Sequence, residues 1–197
     1  MMSSKETNRE IIVSLLKDIK GRGDMDGLIV YLDSAGFFIS PASTKYHGCY
    51  PGGLSEHSLN VMEILSTLNG LCGKPIEVES VILASLLHDV CKAGAYLEEQ
   101  PNFYVYNTEH TAGHGLLSVK LIKKFISLKV EEERAIKFHM GVYGVFGSGT
   151  RVEEYNIATL IDAFGYTSAP LVKMLYLADE IATMREKVFD ERKAVRG

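Results

Sequence analysis

Apolar residues recur at three- and four-residue spacing along most of the chain, and strand-like alternation is scarce. That periodicity predicts an all-α helical bundle. Two capping-box patterns, Ser3 to Glu6 and Thr7 to Glu10, open a first helix that runs to about Lys20. Gly21-Arg22-Gly23-Asp24 breaks it, and a short second helix stops at Gly36. A loop containing Pro41, His47 and Pro51-Gly52-Gly53 leads to a helix over residues 54 to about 68. After Gly70, Gly73 and Pro75 comes an apolar run, Val81-Ile82-Leu83-Ala84-Ser85-Leu86-Leu87, which closes on His88-Asp89. The stretch from Gly94 onward holds Tyr96, Phe103, Tyr104, Val105 and Tyr106 around Pro101-Asn102, and reads as an irregular insertion over about 94–110 with a small hairpin. Helices resume over about 113–126 and 130–140, a glycine-rich loop covers 141–150, and two last helices are expected over about 156–164 and from Pro170 into the charged tail.

The same periodicity places polar, metal-competent side chains on the inward faces. His57 shares its face with Val61, Ile64 and Leu65, and His88 with Ala84 and Val81. His114 lies one and two turns from Leu117, Ser118, Leu121 and Ile122, His139 follows Ala135 and Ile136, and Asp179 sits with Leu175 and Ala182. A single inward histidine is more often a hydrogen-bonded core residue, and a lone aspartate can pair with a nearby Lys or Arg. Five helices each delivering such a group inward would cost several kcal/mol per uncompensated group, against a total stability of about 5–15 kcal/mol. A bound cation is the economical alternative. Imidazole plus carboxylate, with no thiolate required, suits Mn, Fe, Co, Ni or Zn better than Mg. Four histidines and two aspartates exceed one tetrahedral structural site but suit up to two ions sharing a carboxylate.

Composition narrows the setting. The 197 residues suit one domain, with 46% hydrophobic and 23% charged residues and no repeat. A net charge of −4, from 21 basic and 25 acidic residues, argues against an extended surface for duplex nucleic acid, though not against a pocket for one phosphate. No apolar stretch reaches membrane-spanning length, the N-terminus lacks a signal-peptide core, and Cys49, Cys72 and Cys91 form no CxxC pair, so a reducing cytoplasm is expected. There is no GxSxG elbow or evident Ser/His/Asp triad.

The ordered set His57, His88-Asp89, His114, His139, Asp179 resembles the HD-domain metal-dependent phosphohydrolase superfamily. The likeness spans about residues 44–184. It includes Thr44-Lys45-Tyr46-His47, Gly52-Gly53-Leu54-Ser55-Glu56-His57-Ser58, His88-Asp89-Val90-Cys91-Lys92, Gly113-His114-Gly115 with Ser118, His139-Met140-Gly141 and Ala178-Asp179-Glu180-Ile181-Ala182-Thr183. These segments look like stand-alone bacterial and phage-type HD hydrolases, and residues 53–57 also resemble the HD domain of an exoribonuclease that carries an OB-fold. Two departures stand out. Met140 occupies the place where some two-metal relatives have a second histidine, and the N-terminal segment reads as helices rather than an OB-fold.

The resemblance implies a single HD domain, with N-terminal helices over 1–43, a metal-binding core over 44–184 and a charged tail over 185–197. It implies one ion on His57, His88, Asp89 and Asp179, with Asp89 bridging to a second on His114 and His139. It implies hydrolysis of a phosphoester in a nucleotide or similar small phosphorylated substrate by metal-activated hydroxide. Asp89 and Lys92 are the expected catalytic residues, and Lys92, His47 and Arg151 the expected substrate contacts. His47 would orient a ligand or protonate the leaving group, the alternative for Lys92 is to complement a helix C-terminus, and the 141–150 loop with Arg151 either closes over substrate or merely connects. His110 falls outside the pattern and reads as a surface-loop residue. A small substrate is favoured over RNA, no membrane partner is expected, and a homo-oligomer is allowed. The competing readings are an HD-type di-iron oxygenase acting on a small polar substrate, for which Met140 is the expected residue, and a non-catalytic metal-binding module.

Overall fold

The computed structural model describes residues 4–44, 47–73, 75–100, 103–106, 113–141 and 170–194, the side chains of 4–6, 106 and 188–194 excepted. The described residues form helices α1 (Ser4–Asp18), α2 (Met25–Ser34), α3 (Gly53–Gly70), α4 (Val78–Leu87), α5 (His114–Ile122), α6 (Val130–Phe138) and α7 (Pro170–Ala194), with a 3-10 turn at Val90–Lys92. The irregular insertion is an antiparallel hairpin, β1 (Tyr96–Gln100) with β2 (Phe103–Tyr106), pairing Tyr96 with Tyr106 and Leu97 with Val105. Among the described residues the fold is therefore helical apart from one two-stranded sheet, as the periodicity predicts. The helix expected over 156–164, His110, Arg151 and the loop beyond Gly141 lie outside the described residues.

α3 is the central element. It packs along α7 and α4, while α7 also lies on α6 and α5 lies on α6. α4 is apolar nearly all round, with Ser80, Val81 and Leu83 through Leu87 all buried, as expected of a helix inside the bundle. The core joins Ile12 and Leu16 of α1, Leu28 and Leu32 of α2, Leu54, Val61 and Leu65 of α3, Leu83, Leu86 and Leu87 of α4, Ile122 of α5, Ile136 of α6 and Leu171 and Leu175 of α7.

Two polar devices set the helices that carry the site. Glu132, fully buried in the first turn of α6, accepts from Arg22 Nη2 at 2.9 Å, Ser80 Oγ at 2.6 Å and the Lys129 backbone N–H at 2.7 Å. One carboxylate thus ties the α1–α2 connection, α4 and α6 together, and its partners satisfy the charge that burial would otherwise penalise. The second device is close backbone approach at two glycines. A Cβ on Gly53 would lie 2.0 Å from the Gly48 carbonyl oxygen, and one on Gly115 would lie 2.3 Å from the Lys137 carbonyl oxygen. Only glycine permits either contact. The first seats the start of α3 on its lead-in loop; the second seats α5 on the end of α6.

Candidate metal centre

His57 lies in the second turn of α3, Asp179 in α7, and His88 and His139 at the C-caps of α4 and α6. The two C-caps use one device. His88 Nδ1 lies 2.8 Å from the Ser85 carbonyl oxygen, and His139 Nδ1 lies 2.7 Å from the Ile136 carbonyl oxygen. A carbonyl can only accept, so each Nδ1 carries its proton and donates it to an orphan last-turn carbonyl. Each Nε2 is left as the nitrogen facing the site, which is the orientation a metal-binding imidazole needs.

Asp89 leaves the helix beside His88, with φ −109° and ψ 18°, and its carboxylate turns into the same space. Its Oδ2 is 3.4 Å from His88 Nε2, and its Oδ1 is 3.3 Å from His139 Nε2. Asp179 Oδ1 is 3.1 Å from His57 Nε2 and 4.0 Å from His88 Nε2. His88, Asp89 and His139 are buried, yet His88 Nε2, His139 Nε2 and Asp89 Oδ1 have no hydrogen-bond partner. Orphaned buried atoms of this kind are costly unless something else satisfies them. Ligand atoms bonded to one ion at about 2.1 Å lie about 3.0–3.4 Å apart, a spacing that Asp89 Oδ1 with His139 Nε2 and Asp179 Oδ1 with His57 Nε2 both match. The donor set, its burial and its unsatisfied atoms therefore fit a divalent transition metal, with the His-rich composition disfavouring Mg.

Electrostatics bind the cluster together. Burial opposes charge on His57, but Asp179 and Glu186 outweigh it and push its pKa up to about 10. Both ring nitrogens face carboxylates, so the metal-free imidazole is doubly protonated. Burial would raise the Asp89 pKa, yet Lys92 and the neighbouring histidines hold it well below the usual carboxylate range. Asp179 is lowered against burial by His57 and His88, and His139 is raised against burial by Asp89. Lys92 Nζ, buried at the end of the 3-10 turn, lies 2.6 Å from Asp89 Oδ2, and that contact overcomes burial to keep it an ammonium.

The structure thus brings together His57, His88, Asp89, His139 and Asp179, with Lys92 on Asp89. His47 packs its ring against His57 at 4.7 Å between centroids, and both its ring nitrogens are buried without a hydrogen-bond partner. Burial, then the nearby His57 and Lys92 charges, lower its pKa to about 4. Ser43 Oγ fixes the backbone there, accepting from the His47 N–H at 2.9 Å and donating to the His47 carbonyl at 2.7 Å. His114, the first residue of α5, joins none of the ligand clusters among the described residues; its Nδ1 lies 3.8 Å from Cys91 Sγ.

Two residues escape the sequence reading. Glu186 accepts from His57 Nδ1 at 3.1 Å, and Asn60 Nδ2 donates to the same carboxylate at 2.8 Å. The pair orients the His57 ring and raises its basicity, as carboxylates behind metal-binding histidines do. A signal exists in the spacing: Glu186 is two turns beyond Asp179 on one helix face, and Asn60 is one turn beyond His57. Glu186 lies in the stretch read as a charged tail, just past the segment that carries the resemblance.

Residues 54–184 match the HD domain family. The chain belongs to that family. Over 96 residues this HD domain is 28% identical to dihydroneopterin 2',3'-cyclic phosphate phosphodiesterase of Methanocaldococcus jannaschii, covering 46% of this chain and 39% of the relative. The chain thus spans well under half the length of that curated relative. No solved structure matches.

Proposed function

We propose that this HD domain is a metal-dependent phosphohydrolase that cleaves a phosphoester of a nucleotide or similar small phosphorylated molecule. The observation that carries the reading is the set of unsatisfied buried atoms on His88, Asp89 and His139, converging with Asp179 and His57. The family match and the similarity to a phosphodiesterase acting on a cyclic phosphate support the reaction class.

His57, His88, Asp89, His139 and Asp179 would hold the metal. When bound, a divalent ion in such a site polarises a phosphoryl oxygen and lowers the pKa of a coordinated water toward neutrality. The chain's own residues complete the site. Asp89 holds Lys92 with one oxygen, and an ammonium carries three N–H donors, so Lys92 keeps donors for a phosphoryl oxygen. His47 offers two unpartnered ring nitrogens beside His57, suited to hydrogen-bond the substrate. Arg151 keeps its sequence-based assignment as a substrate contact. A net charge of −4 favours a small substrate over a polyanion.

The test is hydrolysis by full-length protein loaded with Mn, Fe, Co, Ni or Zn, against phosphomonoesters, phosphodiesters and 2',3'-cyclic nucleotides. Turnover that depends on metal and disappears in Asp89→Ala is the expected result. No hydrolysis across the panel, with the metal retained, would remove the reading.

A further inference from the structure

The family resemblance leads to two ions bridged by Asp89, the second held by His114 and His139. The side chains are arranged differently. Three atoms are orphaned, His88 Nε2, His139 Nε2 and Asp89 Oδ1; His139 Nε2 lies 3.3 Å from Asp89 Oδ1, and the His88 and His139 rings are 4.8 Å apart between centroids. His88, His139 and Asp179 present ligand atoms all within 4.8 Å of one another, and so do His57, His88 and Asp89. The imidazole expected on a second ion therefore borders the first ion's position.

The other oxygen of Asp89 is already engaged. A bridging carboxylate gives one oxygen to each ion. Here Oδ2 lies 2.6 Å from Lys92 Nζ, and that ammonium is buried, so it needs the carboxylate as its counter-charge. A divalent ion on the same oxygen would meet a positive group at contact distance. The remaining second-ion ligand, His114, sits beside Cys91 and outside every ligand cluster among the described residues. Met140 already removes one further ligand that some two-metal relatives use.

We propose that this centre holds one divalent ion, ringed by His57, His88, His139, Asp89 and Asp179, and that the Lys92 ammonium stands on Asp89 in the place of a second ion. The proposal rests on the metal-centre reading above and specifies its nuclearity. One fixed protein charge then does what a second captured cation would do, and the site needs no second metal to be complete.

Metal-free full-length protein titrated with Mn²⁺ tests this by elemental analysis after equilibrium dialysis and by electron paramagnetic resonance. One ion per chain, with the six-line signal of an isolated Mn²⁺, is expected. Two ions with an exchange-coupled spectrum overturn the proposal, whereas no bound ion in any of the five metals overturns the metal-centre reading itself. His139→Ala is expected to weaken Mn²⁺ binding about tenfold or more. His114→Ala is expected to keep one ion with affinity within about twofold, because it removes no ligand. Loss of an ion in His114→Ala, or unchanged affinity in His139→Ala, counts against the proposal. Lys92→Met, which keeps the stem without the charge, is expected to tighten Mn²⁺ binding about threefold or more, because a cation beside a ligand carboxylate is gone. Unchanged or weaker binding in that variant overturns the assignment of Lys92. Wild-type stoichiometry decides the nuclearity even if a variant does not fold.

Discussion

Glu186 acts on the candidate centre from behind His57. It takes the His57 Nδ1 proton in a hydrogen bond and is itself steadied by Asn60. Glu186→Gln keeps the size but loses the charge, so metal affinity is expected to fall about 10–100-fold, measured by competition with a fluorescent chelator. The same pair sets a pH dependence. In the metal-free fold His57 is raised to about 10 from an ordinary 6.5. A raised histidine contributes stability that is fully present below its unfolded pKa and is lost as pH rises through the folded one. The melting temperature of metal-free protein should therefore decline between about pH 6.5 and 10. Asp89 and Asp179 have the opposite sign: both are lowered, so their contribution is lost only on acidification. Metal binding must displace the His57 proton, so affinity should rise by up to about tenfold per pH unit across the alkaline window. Calorimetry in buffers of different ionisation enthalpy measures the protons released, and a pH-independent affinity would show that His57 is not a ligand.

At the level of elements, the site depends on how helix ends are stacked. α4 and α6 each stop at a histidine whose Nδ1 caps the helix's own last turn, and Glu132 holds the two helices in register. α5 comes close to the end of α6 at Gly115, whose missing Cβ makes room for the Lys137 and Ile136 carbonyls. Gly115→Ala should cost about 1–3 kcal/mol by overpacking against backbone. For a domain of this size that lowers the melting temperature by about 2–4 °C per kcal/mol, read by calorimetry. An unchanged melting temperature would mean that α5 shifts freely on α6. The helix starts and stops were largely legible, because caps, glycines and the 3.6-residue period are local. The hairpin was legible too, since its aromatics flank Pro101-Asn102. The Arg22–Glu132–Ser80 tie was not, because its three members are 52 to 110 residues apart and each looks like an ordinary surface residue in sequence.

For the whole molecule, the unsatisfied buried atoms predict that metal acts as part of the folded state. At an ion concentration about 100-fold above the dissociation constant, binding contributes about 2.7 kcal/mol, a rise of about 5–10 °C in melting temperature. Mn²⁺ added to chelator-treated protein checks this by thermal shift, with Asp89→Ala losing most of the response. Among the described residues no helix is long and apolar enough to cross a membrane.

The sequence by itself determined the helical class, the family and the order of the candidate site residues, because hydrophobic period and motif order are properties of the chain. It marked His57, His88, Asp89, His139 and Asp179 as inward-facing, and the structure gathers all five. Only the tertiary structure decided which groups share one point in space. It set His114 apart, placed Lys92 on Asp89, put His47 against His57 and brought Glu186 behind His57. The reason is that a face of a helix is written in local spacing, whereas distances between faces depend on how helices cross, and a difference of one or two ångströms separates a ligand from a neighbour.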